Sequence, residues 1–241
     1  MAYLLDGVLI LLFVLAIWLG HKRGFIKTVT GVVAFIAAVA VASLLSGPVA
    51  QFVYDNTVEP TVVETIDSYT AAATGSLESG VDEALSSLPG FVTNLLANGG
   101  IASGADVLAK VGNTADAAAL GQNIADNVVE PLVIPLLKMI ATLILFILAY
   151  ILASLLLRVL NVVAKLPLLK QVNKSLGTVA GVLSGALWVL FAVSVLQVVA
   201  AVAGSDFVIN PALLADTIVT NWLIGINPLG GMLNEIIAVV D

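Results

Sequence analysis

Cysteine is absent from the 241 residues, which excludes disulfides, thiolate nucleophiles and thiolate metal sites. A single histidine, His21, removes His-pair metal sites as well. Charge is equally scarce. Asp, Glu, Lys and Arg make up 10% of the chain, where a soluble domain carries about a quarter. A surface so poor in charge cannot be solvated by water all round. What fills the chain instead is hydrophobic, at 60% of positions, so lipid must solvate most of it. These proportions read as an integral membrane protein of the all-α class.

A spanning helix needs about 20 mostly apolar residues. Four stretches qualify: Ala2–Gly20, Phe25–Gly47, Leu132–Leu157 and Leu176–Gly204. Only "HKRG" separates the first two, so they must be antiparallel neighbours. This divides the chain into a transmembrane hairpin (1–47), an acidic helical loop (48–131), a second hairpin (132–204) with a basic connection (158–175), and an amphipathic tail (205–241). The first stretch has no basic residue ahead of it and no small-x-small cleavage pattern after it. It is expected to be a retained helix.

The charges are segregated. Of nine Lys and Arg, seven fall in the two short connections: Lys22, Arg23 and Lys27, then Arg158, Lys165, Lys170 and Lys174. All sixteen acids fall on the other side, eleven of them between Asp55 and Glu130. The positive-inside rule therefore predicts cytoplasmic connections, with both termini and the acidic loop extracytoplasmic. This means a multi-pass membrane protein. The basic connections should lie against anionic headgroups, each cation contributing about 1 kcal/mol.

In the loop, Thr61–Ala73, Leu77–Leu88 and Ala105–Val129 read as amphipathic pieces, with Val107, Leu108, Val111, Ala115, Ala118 and Ala119 near helical spacing in the last. Gly75, Gly80, Pro89–Gly90 and Gly99–Gly100 punctuate them. With few aromatics the loop is expected to form short surface helices and little core of its own. It lacks the calcium-loop spacing of oxygen ligands, so its acids read as a solvated face. The tail offers two short helices, Pro211–Leu223 and Pro228–Val240, with Trp222 as an interfacial anchor.

Gly177, Gly181 and Gly185 recur every fourth residue in the last span and form a smooth face for close backbone approach. Ala34, Ala38, Ala42 and Ser46 form a comparable face in the second span and are the expected partner, unless the glycines meet a second copy. The same small residues would also suit the lining of a pore. Two charged groups lie within the spans near their outer ends, Asp6 and Lys138. An Asp6–Lys138 pair would neutralise both; otherwise Asp6 caps the first helix near the surface. Gln197, Thr28, Thr30 and Ser43 are expected to make interhelical hydrogen bonds. His21 lies on the opposite side from every carboxylate, so a Ser-His-Asp constellation is topologically excluded. No phosphate-cradling loop or zinc-protease helix motif is found.

An Asp near the start of the first helix, the "GHKRG" hairpin, and "VNKSLGTVAGVLSG" at the entry to the last span together resemble the CvpA (colicin V production protein) family. The motif residues are Asp6, Gly20, Lys22, Arg23 and Gly24 in the hairpin, and Asn173 with the three glycines in the last span. The resemblance covers Ala2–Gly47 and about Leu132–Gly204; the loop is longer and more irregular than that family leads one to expect. It implies a small inner-membrane protein tied to production and export of a colicin V-type toxin and to envelope integrity. Some related four-helix regions anchor extracytoplasmic proteases, but this chain has no protease domain.

Three functions follow as expectations. The first is a non-enzymatic accessory or scaffold protein, with the lipid bilayer, other envelope proteins or further copies of itself as partners, and neither cofactor nor nucleic acid. The alternative is an oligomeric channel or small-solute transporter, since four helices line a pore only thinly. A lipid-modifying enzyme ranks third, for want of clustered polar groups at one interface.

Overall fold

The computed structural model describes residues 1–73, 75–112, 119–161, 170–203 and 208–227. Among these the regular elements are all helices: α1 (Ala2–Arg23), α2 (Phe25–Val53), α3 (Glu59–Ala72), α4 (Leu77–Ser87), α5 (Gly90–Asn98), α6 (Gly104–Val111), α7 (Leu120–Ile124), α8 (Glu130–Asn161), α9 (Lys170–Ala203), α10 (Pro211–Ala215) and α11 (Val219–Ile226). Two π-helical turns, Tyr54–Val58 and Ala125–Val129, connect α2 to α3 and α7 to α8 without a break. Several sequence expectations lie outside the described residues. These are Lys165 of the basic connection, Ala115 and Ala118 of the loop, and the helix Pro228–Val240 of the tail.

Four helical runs are long and apolar enough to cross a membrane: Ala2–Arg23, Phe25–Ala72, Leu120–Leu157 and Asn173–Ala200. Their number agrees with the sequence, but two of them are longer than expected. The boundary read at 47/48 falls inside α2, which carries Pro48 in its interior. The boundary at 131/132 falls at the start of α8, inside a run that begins at Leu120. A proline removes one hydrogen bond and crowds the carbonyl four residues back. Both π turns sit just ahead of such a residue, Pro60 and Pro131. Widening the turn there relieves the crowding while the helix axis continues, so the chain bends its hydrogen-bond pattern instead of stopping.

Within the bundle α1 packs along α9 and α2 along α8, and α2 also touches α9. An aromatic cluster joins the last three of these helices. Phe35 of α2 meets Phe146 of α8 edge-on at 4.8 Å, and Phe146 lies 4.4 Å from Phe191 of α9. Tyr150 meets Trp188 edge-on at 5.2 Å. Outward from these seams stand exposed Leu4, Leu44, Leu152 and Val179, which is the surface that lipid requires.

The expectation that the loop has little core of its own does not survive. The largest buried apolar cluster lies there, running from Tyr54 to Leu136. Val62, Ile66, Val81, Val92 and Val107 are fully buried in it. Aliphatic residues do what the few aromatics cannot, and the ends of the α2–α3 and α7–α8 runs form its walls. Local caps set the short helices. Ser76 accepts from the Ser79 amide to start α4, and Ser103 with Asp106 forms a reciprocal capping box at α6. Three acceptances by the Asp106 carboxylate, with the Ser103 hydroxyl contributing most, hold its pKa below the usual range. The piece expected over Ala105–Val129 is split, because Gly112 adopts φ 77° and ends α6.

Candidate functional site

The hairpin residues meet the last span at one end of the bundle. α1 ends at Gly24, whose φ of 79° and ψ of 168° suit glycine and strain any other residue. A side chain at Gly24 would collide with the amide of Asn173. Asn173 in turn accepts from the Ile26 amide at 3.4 Å, one of the free donors that begin α2. So the asparagine seats the turn, and the glycine makes room for it.

From this point the glycine ladder runs down α1. A Cβ on Gly20 would sit 2.5 Å from the Gly177 carbonyl oxygen and 2.6 Å from Gly181 Cα. One on Gly177 would sit 2.6 Å from the Gly20 carbonyl oxygen, and one on Gly181 3.1 Å from Ile17 Cα. Gly185 faces the Phe13 ring. The partner of the ladder is therefore α1, not the alanine face of α2. Ala16, Gly20 and Gly24 repeat every fourth residue, a signal present in the sequence and overlooked beside the stronger ladder. Ala34, Ala38 and Ala42 are fully buried on α2, and Ala38 and Ala42 cluster instead with Phe35 and Phe146.

Each basic residue of the hairpin has its own place. His21 Nδ1 lies 3.0 Å from the Thr178 hydroxyl, which itself donates to the Lys174 carbonyl at 3.2 Å. Lys22 Nζ stacks over the Trp18 ring at 3.8 Å. Arg23 and Lys27 border a recess between the four long helices. The hydroxyls of Thr28 and Thr30 donate to carbonyls four residues back, Gly24 and Ile26.

At the opposite end, Asp6 holds the tail. Its carboxylate is 6% exposed. One oxygen accepts from the Ile218 amide at 2.9 Å and the Val219 amide at 3.2 Å. The other accepts from the Thr220 amide at 2.9 Å and its hydroxyl at 2.8 Å. These amides open α11 and would otherwise be orphaned. Asp6 supplies the cap from the far end of the chain and faces the positive end of the helix dipole. The Asp6–Lys138 pair is not formed, because four donors of the tail surround the carboxylate. The second alternative, a cap for Asp6's own helix, is also replaced: Asp6 caps another helix. Asn227, just past α11, donates to Ser194 at 2.9 Å and Gln197 at 3.4 Å on α9. Trp222 on α11 stands 65% exposed, where lipid or the interface can reach it.

A further motif escaped the sequence reading. "QFVYDNTVEP" and "QNIADNVVEP" repeat at an offset of 71, from Gln51 and Gln122. Each contains one π turn, and the two copies meet across the α2–α3 and α7–α8 runs. Gln51 donates to Asp55 at 2.9 Å and to Glu130 at 3.4 Å; Gln122 donates to Asp126 at 2.8 Å and to Glu59 at 2.7 Å. Each glutamine thus bridges its own aspartate and the other copy's glutamate. At the centre the buried Tyr54 hydroxyl donates to the Ala125 carbonyl at 2.7 Å. Among the described residues no group of three or more His, Cys, Asp or Glu is arranged to hold a metal ion.

Four helical runs long and apolar enough to cross a membrane, joined by a glycine seam and a capped tail, define an all-helical architecture of the membrane-protein type. Residues 5–78 match the family model described as Colicin V production protein, so the similarity to that family covers about the first third of the chain. No curated protein and no solved structure gives a significant match. The matched segment holds Asp6, the hairpin and the first glutamine motif, while their long-range partners Ile218–Thr220, Asn173, Thr178, Ala125 and Glu130 lie beyond it.

Proposed function

We propose that the chain is a non-enzymatic accessory or scaffold protein of the bacterial inner membrane, acting in envelope integrity and in production or export of a colicin V-type toxin. Both termini and the acid-rich helical unit face the extracytoplasmic side. The observation that carries this reading is the continuity of two spans with the helical unit beyond them. The runs Phe25–Ala72 and Leu120–Leu157 leave the bundle without a break and are pinned by the glutamine bridges and Tyr54. This makes a rigid platform for protein contacts. Polar groups at the bundle ends, Asp6, His21, Asn173 and Asn227, join helices to one another, as a scaffold requires.

Crosslinking in native membranes from an exposed loop-facing position such as Glu64 is expected to capture defined envelope proteins. Capture should fall when Ile66→Asp disrupts the platform core and should persist with Lys22→Gln at the other end. Ion or solute flux through reconstituted protein above empty liposomes, abolished by Gly181→Leu, would replace this reading with the oligomeric channel. Reporter fusions test the topology: cytoplasmic activity from a fusion after Ala73 would reverse it.

A further inference from the structure

The basic hairpin surrounds a recess that none of the contacts above explains. Its volume is about 100 Å³, and its walls come from all four long helices: Arg23 and Gly20 from α1, Lys27, Thr28 and Gly31 from α2, Tyr150 from α8, Ser184 and Trp188 from α9. A Cβ built on Gly31 meets nothing within 4 Å, so the hollow is open space at that wall and not a loosely drawn contact.

The chemistry of the walls is one-sided. Every carboxylate in the chain lies elsewhere in the sequence, and among the described residues neither Arg23 nor Lys27 has an ion-pair partner. The neighbouring basic groups are committed, Lys22 to Trp18 and His21 to Thr178. Among the described residues the hydroxyls of Tyr150 and Ser184 have no hydrogen-bond partner either. Two cations and two hydroxyl donors thus converge on one hollow, a set that matches the oxygens of a phosphate ester.

The recess is also amphipathic. Arg23 and Lys27 stand at the end of the spans, and the walls continue through Leu19 to Ala16, about 10 Å along the helix axis. Neighbouring positions on the same helices, Leu15, Phe25, Ile26 and Ile151, are exposed apolar residues. An entrant from the bilayer would meet charge at headgroup depth and apolar walls below it. Basic pockets between spans at this depth are where anionic lipid headgroups bind.

We propose that this recess is a specific binding site for the phosphate headgroup of an anionic phospholipid, with Arg23 and Lys27 holding the phosphate and Tyr150 and Ser184 donating to its oxygens. The site is separate from the scaffold reading and from the general attraction of basic loops to a charged membrane. It needs these four side chains and an open hollow.

The test measures lipid retention by native mass spectrometry and thermal stabilisation of the full chain in detergent. The probes are phosphatidylglycerol, phosphatidylcholine and inorganic phosphate, each added separately. Phosphatidylglycerol is expected to bind and stabilise. Arg23→Gln with Lys27→Gln should weaken it about 10- to 30-fold, as two surface-depth charges imply. Gly31→Leu should fill the hollow and weaken binding comparably without removing charge. Lys22→Gln, a charge lost outside the recess, should change affinity less than about twofold. Equal losses in Lys22→Gln and Arg23→Gln would overturn the site in favour of diffuse attraction. Equal binding of phosphatidylcholine, or unchanged binding in Gly31→Leu, would overturn it as well. Saturation by inorganic phosphate alone would show a free-anion site and overturn the lipid assignment.

Discussion

The two long helix pairs solve the same problem in opposite ways. α1 and α9 approach through glycines, so that backbone meets backbone at Gly20, Gly177 and Gly181. α2 and α8 keep alanines on one side and fill the gap with Phe35, Phe146 and their aromatic neighbours. In lipid there is little hydrophobic drive to press helices together, and contact quality decides association. The glycine seam maximises contact by removing side chains, the aromatic seam by supplying large ones. The first tolerates no added atom, while the second tolerates losing some.

That difference predicts how each pair breaks. Gly177→Leu should have the largest effect, because its Cβ lands 2.6 Å from a backbone oxygen that cannot move aside. A loss above about 4 kcal/mol, beyond ordinary overpacking, is expected. It is read as absence of a cooperative melt in detergent; a melting temperature near wild type would refute the close seam. Asp6→Ala should come next. It strands the opening amides of α11 and should cost about 2–3 kcal/mol locally. Hydrogen exchange at Ile218, Val219 and Thr220 should accelerate, while the α2–α8 pair stays protected.

Phe146→Ala sharpens the contrast from the other side. Lost dispersion contacts cost about 1–2 kcal/mol where lipid tails can partly replace them. The variant should still melt cooperatively, at a lower temperature. The smallest effect belongs to Gln122→Ala at the far end of the α2–α8 pair. Two exposed hydrogen bonds go, about 0.5–1 kcal/mol in all, and exchange should quicken at the π turn Ala125–Val129 only. If this variant unfolded the bundle, the glutamine bridges would be holding far more than the end of one pair.

Much of this was legible in the residues. The run lengths fix four spans, and the segregation of Lys and Arg marks one end of the bundle. The glycine ladder announced close approach. Its partner was named wrongly because Ala34, Ala38 and Ala42 make the more conspicuous small-residue face, whereas the matching Ala16–Gly20–Gly24 series is interrupted by the hairpin. The glutamine motif was readable as a repeat, but the helix-continuing π turn hid it behind Pro60 and Pro131, which ordinarily signal a break.

By itself the sequence determined what depends on local composition: which stretches lipid can solvate, where a turn must fall at Gly24, and which faces are smooth enough for backbone contact. Only the tertiary structure decided which smooth face meets which, that Asp6 caps α11 from more than two hundred residues away, and that Arg23 and Lys27 line a hollow while Lys22 lies on Trp18. The reason is physical. Solvation and turn geometry are properties of a few adjacent residues, whereas a cap, a seam and a recess require donors, acceptors and empty space from distant helices to coincide.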